Sequence, residues 1–229
     1  MSRILVVAPH CDDETLGMGG TIARLAGEGH EIFVAVMTGH GKEQHPIWER
    51  SVWDIVRAES QEAMKVLGVR ELLFSEVPAA LVASVSPIEL NKEAHDILSK
   101  TRPDELYIPF SWDLHKDHRE ISHSFQVACR PHTELGRKVQ RIWMYETVSE
   151  THWNFASGVE PGFIPNTWVD ISATLPLKVE AMSCYKSQLR AFPDARSLET
   201  LEALAKWRGS QVGMRAAEGF LLVRALLGH

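Results

Sequence analysis

The sequence of 229 residues predicts an α/β protein with a mostly parallel sheet, and three observations lead to this prediction. Short aliphatic runs alternate along the chain with amphipathic segments of helical period. The first run, RILVVAP, is almost entirely apolar, as expected of a strand that is buried on both faces. Helix-length segments separate the strands, which is typical of βαβ units. We therefore expect helices on both faces of the sheet, in three α/β/α layers, within a single domain over residues 1–229.

Each element is predicted from a run and its boundaries. The strands are short aliphatic runs that end near glycine, proline or charged residues: Arg3–Pro9, Glu31–Thr38, Leu72–Ser75, Glu105–Phe110, Arg141–Glu146 and Thr167–Ile171. The helices show apolar residues every three or four positions, and Gly29 and Gly68 end two of them: Thr21–Glu28, Trp48–Leu67, Pro87–Lys100, Leu175–Leu189, Leu198–Trp207 and Gly213–Leu227. Between them, Thr147–Asn166 is rich in Gly, Pro, Asn and aromatic residues and is expected to form an ordered loop over the site.

Composition limits the classes of function. The net charge is −6, so the chain lacks the excess of basic residues that would indicate nucleic acid or an anionic membrane surface as a partner. The three cysteines, Cys11, Cys129 and Cys184, lack CxxC spacing and fit a reducing compartment. The N-terminal apolar run is too short for a signal peptide, and no stretch reaches the length of a membrane span. We therefore expect a cytoplasmic protein with a small-molecule substrate; its oligomeric state is open, and a homo-oligomer is compatible with the sequence.

The first motif, VVAPHCDDETLG, places a histidine and three acids directly after the first strand. Ligands of open α/β sheets bind beyond the carboxyl ends of the strands, so this position favours function. His10 and Asp13 are three residues apart across the turn and can converge as a pair of zinc ligands. Asp12 must point differently, which leaves it free to act as a base. A bound dication would offset the repulsion among the clustered carboxylates.

Two other interpretations of this motif are open. Acids in a first helical turn favour the helix dipole, with Asp12 or Thr15 as the cap. The following LGMGG could open a nucleotide-binding helix, but its spacing is not GxGxxG, and strand two ends in Met37-Thr38 without an acid for a ribose. We therefore expect these glycines to let the helix pack closely on the sheet.

The second motif, SWDLHKDHREIS, follows the strand Glu105–Phe110. If His118 supplies a third ligand, the set becomes His, Asp, His with an open position for water, the pattern of a catalytic zinc site. His115 would then stand near the metal as a cationic donor, with Asp117 favouring its protonated form. A solvated surface turn is the alternative, but the first motif lies at the same end of the sheet and makes that alternative less favourable.

Together, PHCDDE after the first strand and DLHKDH further on resemble the LmbE/PIG-L family of zinc-dependent N-deacetylases, including N-acetylglucosaminyl-phosphatidylinositol deacetylase. The segments RAESQEAMKVLGV, WVDIS, YKSQL and AEGF and the RG pair at 208–209 also match the family pattern. The resemblance implies a Rossmann-like three-layer α/β/α sandwich and one Zn²⁺, with Fe²⁺ as an alternative, held by His10, Asp13 and His118. It also implies Asp12 as general base and His115 as oxyanion stabiliser or proton donor. The residue that steadies His115 is expected to be Asp117.

For substrate binding, the resemblance implies that Arg57 grips the substrate; the alternative is a salt bridge with Asp54 on the helix surface. The sequence departs from the mycothiol-pathway enzyme of the family where Asp113 stands in place of a tyrosine, and from many members where FSEVPAALV lacks the acid that often holds the sugar. The function implied is hydrolysis of an N-acetyl group from an N-acetylglucosamine-type amino sugar. Amidase action on a thiol conjugate or other amide and a non-catalytic metal-bound sugar-binding module are the alternatives.

Overall fold

The computed structural model describes residues 1–155 and 159–227, and seven strands in this part form one sheet. They are β1 (Arg3–Ala8), β2 (Glu31–Gly39), β3 (Glu71–Pro78), β4 (Glu105–Pro109), β5 (Arg141–Tyr145), β6 (Thr167–Asp170) and β7 (Ala217–Ala225). The helices are α1 (Asp13–Gly27), α2 (Arg50–Val66), α3 (Pro87–Thr101), α4 (Lys116–Ala128), α5 (Glu134–Lys138), α6 (Leu175–Cys184) and α7 (Leu198–Ser210). Within the described ranges, none of these helices combines the length and apolar character needed to cross a membrane.

The strand order is β3-β2-β1-β4-β5-β7-β6, with β1 to β5 parallel and β7 antiparallel to both of its neighbours. The chain builds outward from β1 through β2 to β3, and then returns to the other side of β1 with β4. This reversal between β1 and β4 leaves a crevice beyond their carboxyl ends, which is where open α/β sheets bind ligands. The two motifs follow these two strands, so the topology brings them together.

Two apolar clusters hold the layers together and confirm the predicted Rossmann-like three-layer α/β/α sandwich. Successive side chains of a strand point to opposite faces. Accordingly, Ile4 and Val6 of β1 pack into a cluster with α1, α2 and α6, whereas Leu5 and Val7 pack into another with α3 and α4. Both faces of β1 are therefore buried, which explains why its sequence is aliphatic at nearly every position.

Close packing of α1 explains the LGMGG segment. A Cβ at Gly17 would lie 2.3 Å from Cδ2 of Tyr145, and one at Gly20 would lie 2.8 Å from the Ile171 side chain. Both distances are far below van der Waals contact, so only glycine fits these positions. The expectation that the glycines allow close helix packing is confirmed.

The prediction of a helix over Gly213–Leu227 is wrong, because β7 occupies Ala217–Ala225. A short apolar run such as GFLLV is compatible with either structure, and here pairing with β5 and β6 decides for a strand. The helix predicted over Leu175–Leu189 ends earlier, at Cys184. The helix predicted from Thr21 begins at Asp13. Two helices, α4 and α5, were not predicted.

Candidate active site

The acids of the first motif lie at the turn from β1 into α1. Asp12 is the N-cap of α1 and has the left-handed backbone angle φ 104°, with no side-chain cap hydrogen bond. A residue other than glycine rarely adopts this conformation, which costs about 1–3 kcal/mol and is concentrated at functional sites. Asp13 and Glu14 occupy the first turn of the helix. The acids are therefore both at a helix N-terminus, as the alternative interpretation held, and within the crevice.

Three side chains from the two motifs form a compact group. Potential ligand atoms of His10, Asp13 and His118 lie within 4.8 Å of one another. Oδ2 of Asp13 is 3.3 Å from Nδ1 of His10 and 3.2 Å from Nε2 of His118. His118 and Asp13 are fully buried, and His10 is partly exposed.

The donor set fits a divalent cation, because several buried atoms of this group and of the adjacent Asp12 make no hydrogen bond with the described residues. They are Oδ1 of Asp13, Nε2 of His118 and both carboxylate oxygens of Asp12. Leaving a buried polar atom unpaired costs about 1–3 kcal/mol, and such atoms call for a ligand, an ion or water. Imidazole nitrogen and carboxylate oxygen are the ligand types that zinc accepts. The residues present could therefore hold zinc or a similar ion.

A second group of possible ligands, His10, His115 and Asp117, fits less well. Oδ2 of Asp117 accepts a hydrogen bond from Ala80 N at 2.6 Å and lies 3.0 Å from Nε2 of His10. Nδ1 of His115 accepts a hydrogen bond from Asp117 N at 3.1 Å. These atoms have protein partners, whereas the unpaired atoms belong to the group that contains Asp13 and His118.

Asp113 orients His118, a role that the sequence analysis did not assign. Its Oδ2 is 2.9 Å from Nδ1 of His118, and its Oδ1 accepts a 2.6 Å hydrogen bond from the Thr151 hydroxyl. A proton on Nδ1 leaves Nε2 directed at Asp13, which is the arrangement by which carboxylates support metal-binding histidines. The signal in the sequence was the acid five residues before the histidine. The role of Asp113 became clear only from the structure, where Thr151 binds Oδ1 and leaves Oδ2 for His118.

The expectation that Asp117 keeps His115 protonated is wrong in this structure. Because Nδ1 of His115 accepts a backbone N–H, the ring is neutral, with its proton on Nε2. Burial, together with the charge of His10, lowers the pKa of His115 to about 4. The Asp117 carboxylate lies 3.8 Å from Nδ1 of His115 but 3.0 Å from Nε2 of His10. Burial favours neutral His10, but these hydrogen bonds to Asp117 and Asp13 raise the pKa of His10 to about 9.

Asp12 is almost fully buried beside this group, with 1% of its surface exposed. Burial raises the pKa of its carboxyl to about 8, although the guanidinium of Arg196 opposes the shift. Nε of Arg196 lies 3.5 Å from Oδ2 of Asp12. A carboxylate with no hydrogen bond and a raised proton affinity is suited to accept a proton.

A cavity of about 240 Å³ opens onto these residues. Its apolar wall is formed mainly by residues of α2 and the segment before it, namely Trp48, Val52, Trp53 and Val56. The other lining side chains include His10, Asp12, His115, Glu150, Gln188 and Arg196. Glu150 belongs to the stretch that was expected to lie over the site; residues 156–158 of that stretch lie outside the described residues. The cavity thus joins reactive groups to an aromatic wall.

Arg57 does not line this cavity. Its guanidinium donates to Oε1 of Glu76 at 2.7 Å and to the Ser75 carbonyl at 2.9 Å, so the salt bridge is with Glu76 and not with Asp54. The substrate-binding role of Arg57 stays a prediction.

Side chains from downstream segments hold α1 in place behind the first motif. The Tyr185 hydroxyl donates to Oε1 of Glu14 at 2.5 Å. Glu218 accepts hydrogen bonds from the backbone of α1 at Gly20 and Thr21. Lys178 pairs with the same carboxylate and also donates to the Leu16 carbonyl. The start of α1 is therefore held by side chains from distant parts of the chain.

Comparison with known proteins places this geometry in context. A family model described as PIG-L, GlcNAc-PI de-N-acetylase, matches residues 5–129, which contain both motifs. The diacetylchitobiose deacetylase of Thermococcus kodakarensis is 25% identical over 242 residues, covering 100% of this chain and 86% of that protein. The 1D-myo-inositol 2-acetamido-2-deoxy-alpha-D-glucopyranoside deacetylase of Rhodococcus jostii is 26% identical and covers 99% of this chain and 93% of its own.

A solved structure agrees with these sequence relatives. The N,N'-diacetylchitobiose deacetylase from Pyrococcus horikoshii, crystallised with an inhibitor, matches with a TM-score of 0.76 at 26% identity. The match covers 100% of this chain and 86% of that one. The likeness therefore extends over all seven strands, beyond the residues that the family model matches.

Proposed function

Because the chain belongs to the PIG-L family of GlcNAc-PI de-N-acetylases, we propose that it is a metal-dependent hydrolase that removes the N-acetyl group from an N-acetylglucosamine-type amino sugar. The observation that carries the proposal is the group of unpaired buried atoms on Asp12, Asp13 and His118, beside a cavity that His10 and Asp12 line. An amide is a poor electrophile with a poor leaving group, so its hydrolysis needs an activated water, a stabilised oxyanion and a protonated amine. The cavity offers a residue for each of these needs.

We propose His10, Asp13 and His118 as the ligands of one Zn²⁺ ion, with Fe²⁺ as the alternative. When bound, such an ion would polarise the acetyl carbonyl and lower the pKa of a bound water towards ~7. The hydrogen bond between Asp113 and Nδ1 of His118 would leave Nε2 of His118 free to hold the ion. Asp117 is then a positioning residue for His10 rather than for His115.

Asp12 takes the proton of the attacking water in this proposal. Its two oxygens accept no hydrogen bond from the described residues, and it is adjacent in the chain to the proposed ligand Asp13, so it could take a proton from a water beside the ligands. His115 donates from Nε2 to the oxyanion as charge develops on the acetyl oxygen. The neutral ring keeps this donor, so oxyanion stabilisation does not need a protonated His115. Asp12 can return its proton to the departing amine, which releases acetate and the free amino sugar.

The test is the release of free amine from a panel of N-acetylglucosamine conjugates, with metal content measured on the same sample. The panel also contains an amide of a thiol conjugate that has no sugar. Metal-dependent release from the sugar conjugates would support the proposal. Release only from the thiol conjugate would instead favour the amidase alternative, and sugar binding without any release would favour a binding module.

A further inference from the structure

We propose that Arg196, rather than Arg57, is the arginine that binds the substrate, and that its guanidinium donates hydrogen bonds to hydroxyl oxygens of a neutral pyranose. The inference rests on the proposed function and adds a specificity residue to it. The guanidinium of Arg57, a residue of α2, donates to Glu76 and to the Ser75 carbonyl of β3. Arg196 lines the catalytic cavity itself.

The guanidinium of Arg196 has unused donors. Arginine carries five N–H donors. Among residues 1–155 and 159–227, no side-chain or backbone oxygen accepts a hydrogen bond from any of them. Its one ionic contact is Nε to Oδ2 of Asp12 at 3.5 Å, and the side chain is 31% exposed. By contrast, the buried guanidinium of Arg208 is bound by both oxygens of Glu146. The free donors of Arg196 therefore point to an acceptor that the protein does not supply.

The backbone around Arg196 is held in place, which suits a binding residue. Oδ1 of Asp194 accepts a 2.8 Å hydrogen bond from Arg196 N, and the Asp194 carbonyl accepts one from Ser197 N at 3.1 Å. Earlier in the same segment, Ser187 donates from its backbone and its hydroxyl to Glu59 of α2. Both α2 and this segment line the cavity, so the anchors define the distance between its apolar wall and Arg196. A segment whose backbone is already ordered loses little further entropy when its side chain binds a ligand.

The surroundings favour a neutral, hydroxyl-rich ligand. Glu150 also lines the cavity, and the described residues donate no hydrogen bond to its carboxylate. A guanidinium and a carboxylate together can donate to and accept from neighbouring hydroxyl groups. An anionic group would instead meet Glu150 and Asp12. Trp48 and Val52, 37% and 40% exposed, offer an apolar surface for the C–H face of a sugar ring.

Two matched substrates separate sugar binding from an effect on Asp12. N-acetylglucosamine and N-cyclohexylacetamide both carry an acetamide on a six-membered ring, but only the sugar has hydroxyl groups. For Arg196→Gln we expect kcat/KM on the sugar to fall about 10- to 100-fold, mainly through KM, as for loss of hydrogen bonds to a charged group. Activity on N-cyclohexylacetamide should fall by a smaller factor, because this substrate loses only the effect of Arg196 on the Asp12 pKa. Arg196→Lys keeps the charge beside Asp12 but not the planar fork, and should lose sugar selectivity in the same direction.

Arg215→Gln is the control, because Arg215 is exposed and makes no side-chain hydrogen bond with the described residues. If Arg196→Gln lowered kcat/KM equally on both substrates, Arg196 would act only through Asp12, and the proposal would be overturned. Unchanged kcat/KM on both substrates would overturn it as well. Tighter binding of N-acetylglucosamine 6-phosphate than of the neutral sugar, if lost in Arg196→Gln, would overturn the proposal that the ligand is neutral.

Equilibrium binding of N-acetylglucosamine to the wild type and to Arg196→Gln can be measured by calorimetry without turnover. If the wild type binds the sugar without releasing amine, the proposed function fails, while weaker binding by Arg196→Gln still supports this inference and equal binding overturns it.

Discussion

At the scale of single residues, the site depends on buried polar groups that the protein does not pair. Asp12 has a left-handed backbone angle and two oxygens without a hydrogen bond, at a position that is 1% exposed. Both features cost folding free energy. They are maintained because α1 is held from the other side by Glu218, Lys178 and Tyr185. We interpret this arrangement as stability given up locally for a reactive carboxylate.

Asp12→Asn should retain the bound metal and lose about 10²- to 10⁴-fold in kcat, the usual contribution of a general base. The amide is nearly the same size but cannot accept the proton of water. Turnover and metal content should be measured on the same preparations, with Asp54→Asn on the exposed face of α2 as the control. Near-normal turnover in Asp12→Asn would remove Asp12 from the mechanism.

Asp113→Asn tests whether this carboxylate orients a metal ligand. Its bond to Nδ1 of His118 selects the tautomer, so the substitution should weaken metal affinity about 10- to 100-fold. Competition with a chromophoric chelator measures the affinity directly. An unchanged affinity would mean that His118 does not bind the metal through Nε2, or does not bind it at all.

At the scale of elements, the contact of α1 with β5 sets the position of the first motif. Gly17 in the second turn of α1 lies against Tyr145, whose hydroxyl donates to the Val7 carbonyl of β1 at 2.8 Å. The ring thus joins β1 to β5 beneath the helix. A side chain at Gly17 would push the start of α1 away from the sheet.

Gly17→Ala should therefore destabilise the protein by about 1–3 kcal/mol, the usual cost of overpacking a core. Its Cβ would also lie 2.9 Å from the backbone oxygen of Glu146, which cannot rotate away. Gly27→Ala in the same helix is the matched control, because nothing lies within 4 Å of its Cβ, and it should be neutral or stabilising by up to about 1 kcal/mol. Urea unfolding of both variants measures the difference, and equal stabilities would contradict the tight contact.

At the scale of the whole molecule, a buried ion pair links α7 to the end of β5. Glu146 accepts hydrogen bonds from Nε and Nη2 of Arg208 at 2.7 and 2.6 Å, and lies 2.7 Å from Nε2 of His152. Burial alone would raise the pKa of Glu146, but its bonds to His152 and Arg208 lower it below the ordinary value of 4.5. A carboxyl whose pKa is lower in the folded state than in the unfolded state stabilises the fold at any pH above its unfolded-state pKa. This stabilisation is lost as the pH falls through the folded-state pKa.

The metal-free protein should therefore lose stability from Glu146 below about pH 4.5, over the range between its ordinary and its lowered pKa. Glu146→Gln removes the titrating group, so its free energy of unfolding should lie below that of the wild type at pH 7 and approach it as pH falls to 3. The comparison uses urea unfolding with a chelator present. A constant difference between the two proteins over this range would contradict the linkage.

Metal should also stabilise the whole fold, because it would bridge the turns after β1 and β4. At a free concentration 100 times its Kd, a ligand adds about 2.7 kcal/mol to stability, which corresponds to a rise in Tm of roughly 5–10 °C for a chain of this length. Zinc added to chelator-treated protein should raise Tm in this way, and His118→Ala should not respond. An equal rise in His118→Ala would place the stabilising metal elsewhere.

The sequence by itself determined the α/β class, the family and the two motifs, because these depend on local patterns. Aliphatic runs specify buried strands, and an acid or histidine directly after a strand must lie at the carboxyl end of the sheet. His10, Asp13 and His118 could be proposed as ligands in this way, since the β1–β4 reversal only had to bring two strand ends together. The family predicted from these motifs is confirmed.

Only the tertiary structure decided which groups surround them. The apolar run of β7 suits a helix or a strand equally, and its partners β5 and β6 settled the choice. Arg57 stands in a family-like position, yet its guanidinium donates to Glu76 and Ser75 outside the cavity, while Arg196, far along the chain, lines the cavity. Likewise, the Asp117 carboxylate pairs with His10, whereas it was expected to favour the protonated form of His115. These outcomes depend on competition between side chains that are distant in sequence, and such competition is settled by packing geometry, which local periodicity does not encode.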